Sequence, residues 1–401
     1  MGWARNVIED PLLAPHFEWD GQCLEKFDGK KWVHFVHESW TGKRMWNVQS
    51  QLPEGGKPLC ITLYADKTCL SSFGTAQGYP IMAQVGNLPQ HIRNGKGLGS
   101  TQIVGWLPIV SEEESDKSDV VDFKRAVWHK SFEILLETIS HYSVTGYLMQ
   151  CGDVMALTRG VNGNYPCPVC LVPQSEQSHT WQTYQLWTAE QSKMLVLKAL
   201  KEPNASRRSE IVKVESLHSV MNAFWDVQFS DPHRAISFDE MHANDHGLGG
   251  KHFFPQLKEF VSELGSAACQ QVDDQMRVLP PWSGLKIQDK IMNVNFSDAN
   301  KFWDILKVCE TESPHGYHLL CCLQAYLDLT MWEALEVHTD ETIAAGRKAV
   351  DRLGKLLQEH ANELEKDGLN KNFDFPKLHA QSHAFDDIEQ KGVLCFFYLA
   401  F

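Results

Sequence analysis

Apolar positions along the chain first settle into a regular pattern at Leu59-Cys60-Ile61-Thr62-Leu63-Tyr64-Ala65, a run of strand length closed by Asp66. Tyr79–Val85 and Gln102–Leu107 are two further strand candidates. Gly74, Gly78, Gly86-Asn87 and the glycines between Gly95 and Gly99 supply turn chemistry between the runs. An acidic stretch from Glu112 to Asp119 reads as a solvated loop. After it Phe123, Val127, Ile134 and Leu135 recur at helical spacing and predict an amphipathic helix over 122–140. Tyr147-Leu148-Met149-Gln150-Cys151 reads as a fourth strand, ending at Gly152-Asp153.

Strand, strand, strand, helix, strand is the order that opens a ribonuclease-H-like domain, so the expected class is α/β with a mixed sheet. Residues 1–55 carry aromatics without a sustained period and read as an extended lead-in, with 56–159 as the first part of the core. Residues 160–300 do not continue the pattern and read as a large, mostly helical or irregular insertion. Residues 301–392 comprise a helical segment and the end of the core; there Val350, Leu353, Leu357, Ala361 and Leu364 form one apolar stripe and Gly368 suits a C-terminal cap. Residues 393–401 form an apolar tail.

Composition narrows the function. Formal net charge is −14, from 51 acids against 37 Lys plus Arg, so the chain as a whole is repelled by DNA phosphates unless basic residues gather on one face. That argues against a free-standing DNA-binding module. It argues less against a nuclease, whose acidic centre divalent cations neutralise. The first residues lack a signal-peptide pattern and no apolar run approaches a membrane span, so an intracellular protein without a membrane partner is expected. Eleven cysteines show no disulfide-framework spacing, and only the Cys167/Cys170 pair stands out. The Gly95-to-Thr101 stretch lacks the spacing of a phosphate-binding loop.

Two constellations carry chemistry. Asp66 and Asp153 each end a predicted strand, and on neighbouring strands their carboxylates would converge to hold Mg²⁺ or Mn²⁺ for phosphoryl transfer. A strand-ending Asp is also an ordinary turn former. Cys167-Pro168-Val169-Cys170 has the separation at which two thiolates share one tetrahedral Zn²⁺, and Asp239-Glu240-Met241-His242 offers a carboxylate and an imidazole at the same spacing. These two pairs are the expected closure of a structural zinc knuckle. His379 and His383, four apart, read as surface or capping histidines.

The blocks Tyr64-Ala65-Asp66-Lys67-Thr68, Gly78-Tyr79-Pro80, Gly86-Asn87-Leu88-Pro89, Gly105-Trp106-Leu107-Pro108 and Cys151-Gly152-Asp153 closely resemble Plavaka transposases. These belong to the Kyakuja, Dileera and Zisupton group of eukaryotic DNA transposons, related to CACTA elements and abundant in basidiomycete fungi. The likeness continues through Tyr165-Pro166-Cys167-Pro168-Val169-Cys170, Asp239-Glu240-Met241-His242 and Phe375-Pro376-Lys377-Leu378-His379.

The resemblance implies a nuclear Asp-Asp-Glu/Asp enzyme with Asp66 and Asp153 as its first two metal-binding carboxylates. It also implies zinc at Cys167, Cys170, Asp239 and His242, double-stranded DNA at transposon ends as partner, and a second copy of the chain. It places the third acid after His383–Gly392, where this chain reads Val393 to Phe401 without a carboxylate. An incomplete, inactive transposase remnant is therefore expected, with Glu336 and Asp387 as weak substitutes for the missing acid. Two alternatives stand beside it: a domesticated noncatalytic scaffold binding DNA or protein, and an active nuclease using another third acid.

Overall fold

The structure is a computed structural model that describes residues 2–70, 76–95, 101–110, 118–143, 147–151, 163–227, 231–280, 290–292, 299–306, 314–366, 368–369 and 371–394. A four-stranded sheet, ordered β7-β6-β3-β8, positions the first candidate site. Its strands are β3 (Leu59–Ala65), β6 (Pro80–Val85), β7 (Thr101–Trp106) and β8 (Tyr147–Cys151). β3 pairs antiparallel with β6, and β6 antiparallel with β7. β3 pairs parallel with β8, with Leu59 opposite Tyr147 and Leu63 opposite Cys151. All four predicted strands are present, within one residue at each end.

Every residue of β3 is buried, as its unbroken apolar run requires of a strand covered on both faces. α4 (Ser118–Ser143) contributes Trp128, Phe132, Leu136 and Ile139 to the same apolar cluster as Leu59, Ile61 and Leu63. The predicted 122–140 helix lies inside it.

Residues 1–55 are structured, unlike the extended lead-in the sequence suggests. They hold α1 (Gly2–Glu9), the hairpin β1 (Leu24–Phe27) and β2 (Trp32–Val36), and α2 (Lys43–Gln49). Val7, Leu13 and Phe17 join the cluster under the sheet. Elements of four to eight residues complete too few turns for a period to show in the sequence. β2 also pairs with β9 (His338–Thr339), tying the start of the chain to its helical part. A two-stranded ribbon, β4 (Thr68–Cys69) with β5 (Gln77–Gly78), follows Asp66.

The remaining segments are mainly helical. The short α3 (Gln90–Arg93) precedes β7, and α5 (Ala189–Leu200) packs on α6 (Ala205–Lys213) through Val196, Ala199 and Val212. α7 (Pro232–Ala235) is followed by a thirteen-residue π-helix, Met241–Phe253. α8 (Phe254–Glu263), α9 (Ser266–Val278), α10 (Ala299–Leu306), α11 (Pro314–Glu333), α12 (Asp340–Lys366) and α13 (Pro376–Lys391) complete the chain. A second apolar cluster joins the π-helix, α8 and α10–α13. The predicted α12 stripe is buried at Val350, Leu353, Leu357 and Leu364 and half-buried at Ala361. Gly368, at φ +77°, ends that helix as expected, and the Leu369 amide donates to the Leu364 carbonyl. Among the described residues no helix is long and apolar enough to cross a membrane.

Candidate functional site

Two sites emerge, one facing α13 and the other at the start of the π-helix. The first begins at Cys167-Pro168-Val169-Cys170. Trp187 donates its amide to the Val169 carbonyl and Leu171 to the Gln185 carbonyl, so the turn lies on a short hairpin with residues 185–187. The Val169 amide points at Cys167 Sγ, 3.3 Å away. Pro168 O accepts from His233 Nδ1 at 2.7 Å; a carbonyl cannot donate, so Nδ1 carries the proton and Nε2 accepts from the Ser192 hydroxyl at 2.7 Å. Ser192 and His233 are both buried, so this pair braces the knuckle turn from inside.

Facing the cysteines is α13. Leu378, Phe385 and Ile388 seat it in the helical core, and His379 and His383, one turn apart, project toward the knuckle. Cys170 Sγ lies 3.1 Å from His379 Nε2, and Cys167 Sγ 3.4 Å from His383 Nε2. The four donor atoms lie within 4.8 Å of one another. Bonds of about 2.3 Å to sulfur and 2.0 Å to nitrogen at tetrahedral angles separate such atoms by about 3.5 Å, so this set fits one zinc ion.

Electrostatics agree. Burial opposes ionisation of Cys167, but the hydrogen bond with Cys170 and the imidazoles of His383 and His379 hold its pKa well below the usual thiol value. Burial likewise works against a charged His383, and the Cys167 thiolate overcomes it, raising the imidazole pKa. A cation among these groups would satisfy both thiolates at once.

Among the described residues, the side chains grouped with the two cysteines are those of His379 and His383, while Asp239 and His242 stand together elsewhere. The i, i+4 spacing was visible in the sequence, but more than 200 residues separate it from Cys167 and Cys170. The Asp-x-x-His pair matched the cysteine spacing yet serves another place.

That place is the end of β3. Asp239 accepts the His242 backbone amide at 3.1 Å, opening the π-helix, and its second oxygen lies 2.8 Å from His242 Nδ1. Across the gap His242 Nε2 is 3.9 Å from Asp66 Oδ2, too far for a direct hydrogen bond. Asp66 is about one-third exposed and the imidazole similarly so, whereas Asp239 is mostly covered. The strand end thus presents Asp66 to solvent beside an imidazole whose ring is held from behind.

Behind His242 lies a buried carboxyl group of residues absent from the sequence expectations. Glu333 is fully buried; one oxygen accepts from Asn244 Nδ2 at 2.7 Å, and Asn244 in turn accepts from Gln381. Burial pushes the Glu333 carboxyl well above its usual range, and nearby Glu240 and Asp245 push further. Burial, with Asp245 and Asp239 close by, raises Glu240 to about 7.

A family comparison covers the first of these strand ends. Residues 1–158 match the Plavaka transposase family. No curated protein matches the chain. The Plavaka match contains the whole four-stranded sheet, Asp66 and Asp153, and begins at residue 1, within the segment the sequence pattern left unassigned. Asp153 itself lies outside the described residues, as does the end of the chain from 395. The knuckle, the π-helix and α13 lie beyond the Plavaka match, so their arrangement rests on the structure. Of the two substitute acids, Asp387 is occupied by Lys391 at 2.7 Å and by the Phe238 amide at 2.7 Å, and Glu336 is exposed.

Proposed function

We propose that this chain carries the metal-binding strand ends of a DNA transposase core with a ribonuclease-H-like fold, with Asp66 and Asp153 holding Mg²⁺ or Mn²⁺ and a zinc ion at Cys167, Cys170, His379 and His383 bracing the frame. The observation that carries this reading is the parallel pairing of β3 with β8 inside the Plavaka match. With Leu63 opposite Cys151, the chain leaves both strands at the same end, and each strand is followed within two residues by one of the two acids. The antiparallel β7-β6-β3 order with β8 parallel beside β3 is the sheet expected of that fold.

When bound, such ions would supply the activation of a water or 3′-hydroxyl and the stabilisation of charge on the leaving oxygen of DNA. The chain's own residues do the positioning. Asp66 supplies oxygen to the ion, His242 stands over it at 3.9 Å, and Asp239 fixes the ring orientation through Nδ1. Such a protein acts in the nucleus.

Titrating Mn²⁺ and following its electron paramagnetic signal checks the centre without depending on turnover. The expected result is binding by the wild-type chain, weakened at least about tenfold in D66N. Unchanged Mn²⁺ affinity in D66N would remove the metal role of Asp66, and robust nicking lost in D66N would show a complete enzyme.

A further inference from the structure

The chain is strongly acidic, yet cations gather beside Asp66. In a π-helix with i→i+5 bonding, residues four and five apart stack on one face, which puts His242, His246 and Lys251 on successive turns. α13 packs along this helix, and its Lys377 stem lies against Gly247: a Cβ there would meet Lys377 Cδ at 2.9 Å and the His242 carbonyl at 2.5 Å. Gly247 therefore lets the lysine run close to the helix axis toward the same face. His252, on the next turn, stacks flat on Phe375 at 3.9 Å and 6°, fixing the lead into α13 beside the helix.

The electrostatic neighbourhood confirms the convergence. Burial lowers the His246 pKa, and Lys251, Lys377 and His242 lower it further, while Asp66 opposes them. Burial lowers His252 to about 4, with Lys371, Lys377 and Lys251 adding to it. Lys251 of the π-helix and Lys377 of α13 thus act on both imidazoles, and Asp66 lies within reach of His246. Lys251 is exposed, and Lys377 and His246 are half-buried, so charge is presented at a surface rather than spent in the core.

We propose that Lys251, Lys377 and His246 form a phosphate track that seats the DNA strand entering the Asp66 centre. This rests on the reading of Asp66 as the metal-binding strand end and adds to it the surface that delivers the substrate. Net charge alone would repel DNA, and two lysines beside the acid oppose that repulsion locally. Lysine ammonium groups grip phosphate without reading bases, so the track positions the strand and does not choose its sequence.

The test is fluorescence-anisotropy binding of a labelled duplex with a single-stranded end, in Ca²⁺, across a salt series. Lys251→Gln and Lys377→Met remove charge, the second keeping the stem that packs on Gly247, and Lys355→Gln on α12 serves as control because its ammonium lies over the Trp181 ring. For the double variant the slope of log affinity against log salt should fall by about 2, with affinity at least about tenfold weaker near about 100 mM salt. The control should match wild type, and circular dichroism should show all variants folded. Absence of DNA binding by the wild-type chain, or equal slopes in wild type and the folded double variant, overturns the track. The metal reading is scored separately by Mn²⁺ binding to D66N, so a failed track with an intact metal response leaves the centre standing.

Discussion

At the scale of single residues, the Cys-and-His and the Asp-and-His groupings are separated by chemistry that substitution can resolve. Cys170 and His379 face each other at 3.1 Å, whereas His242 is held by Asp239 and looks toward Asp66. Elemental analysis of purified variants should therefore find zinc lost in Cys170→Ser and His379→Ala and retained in His242→Ala and Asp239→Ala. Retention of zinc in H379A with loss in H242A would restore the Asp-x-x-His pair as its ligand.

Glu333 allows a second test at this scale. A carboxyl whose pKa is raised in the folded chain takes up a proton on folding, so it costs stability as pH climbs above the usual value of 4.5. Glu333→Gln keeps an acceptor for Asn244 and cannot ionise. Its melting temperature should exceed wild type at about pH 8 and approach it near about pH 5. An equal gain at both pH values would show that the carboxyl is not the source.

Among elements, α12 and α13 meet at a glycine. A Cβ on Gly346 would come within 2.0 Å of Phe385 Cε1, and one on Gly354 within 2.2 Å of Thr180 Oγ1, the hydroxyl that donates to the Val350 carbonyl. Gly346→Ala gains about 1 kcal/mol of helix propensity. It must displace a fully buried ring, an overpacking cost of typically about 1–3 kcal/mol, so denaturant unfolding should show a net loss or at best no gain. A clear net stabilisation would mean that the two helices are less tightly packed than drawn.

How much could be read beforehand also divides by element. β3, β6, β7 and β8 declared themselves because each is a compact run between turn residues, and α12 because its stripe lasts for about four turns. The π-helix did not. Its sequence, with three glycines and three histidines in thirteen residues, carries no 3.6-residue period, and its geometry depends on α10, α13 and α8 packing around it. The grouping of His379 and His383 with the cysteines was hidden for a related reason: it forms only when α13 docks beside the knuckle, a tertiary event without local signature. The strand end that carries Asp66 was legible because it is local, whereas the approach of His242 and Asp239 to it depends on tertiary packing.

For the whole molecule, the Cys₂His₂ cluster links the segment just after the Plavaka match to the last described helix, and α13 in turn packs on α2 and the π-helix. Metal binding at such a closure stabilises the folded chain at the expense of the unfolded one. Chelator treatment should lower the thermal midpoint and expose α13 to proteolysis, with zinc restoring both. Acidification should release the ion as protons compete for thiolates and imidazoles. A chain that melts identically with and without chelator would leave the cluster as packed thiols and imidazoles only.

Anomalous diffraction from one crystal soaked in Mn²⁺, recorded at the zinc and manganese edges, tests the central claim most directly. The account predicts a zinc peak within bonding distance of Cys167, Cys170, His379 and His383 and a separate manganese peak bonded to Asp66 at the end of β3. Manganese absent from Asp66 in a crystal that shows the zinc peak would contradict it.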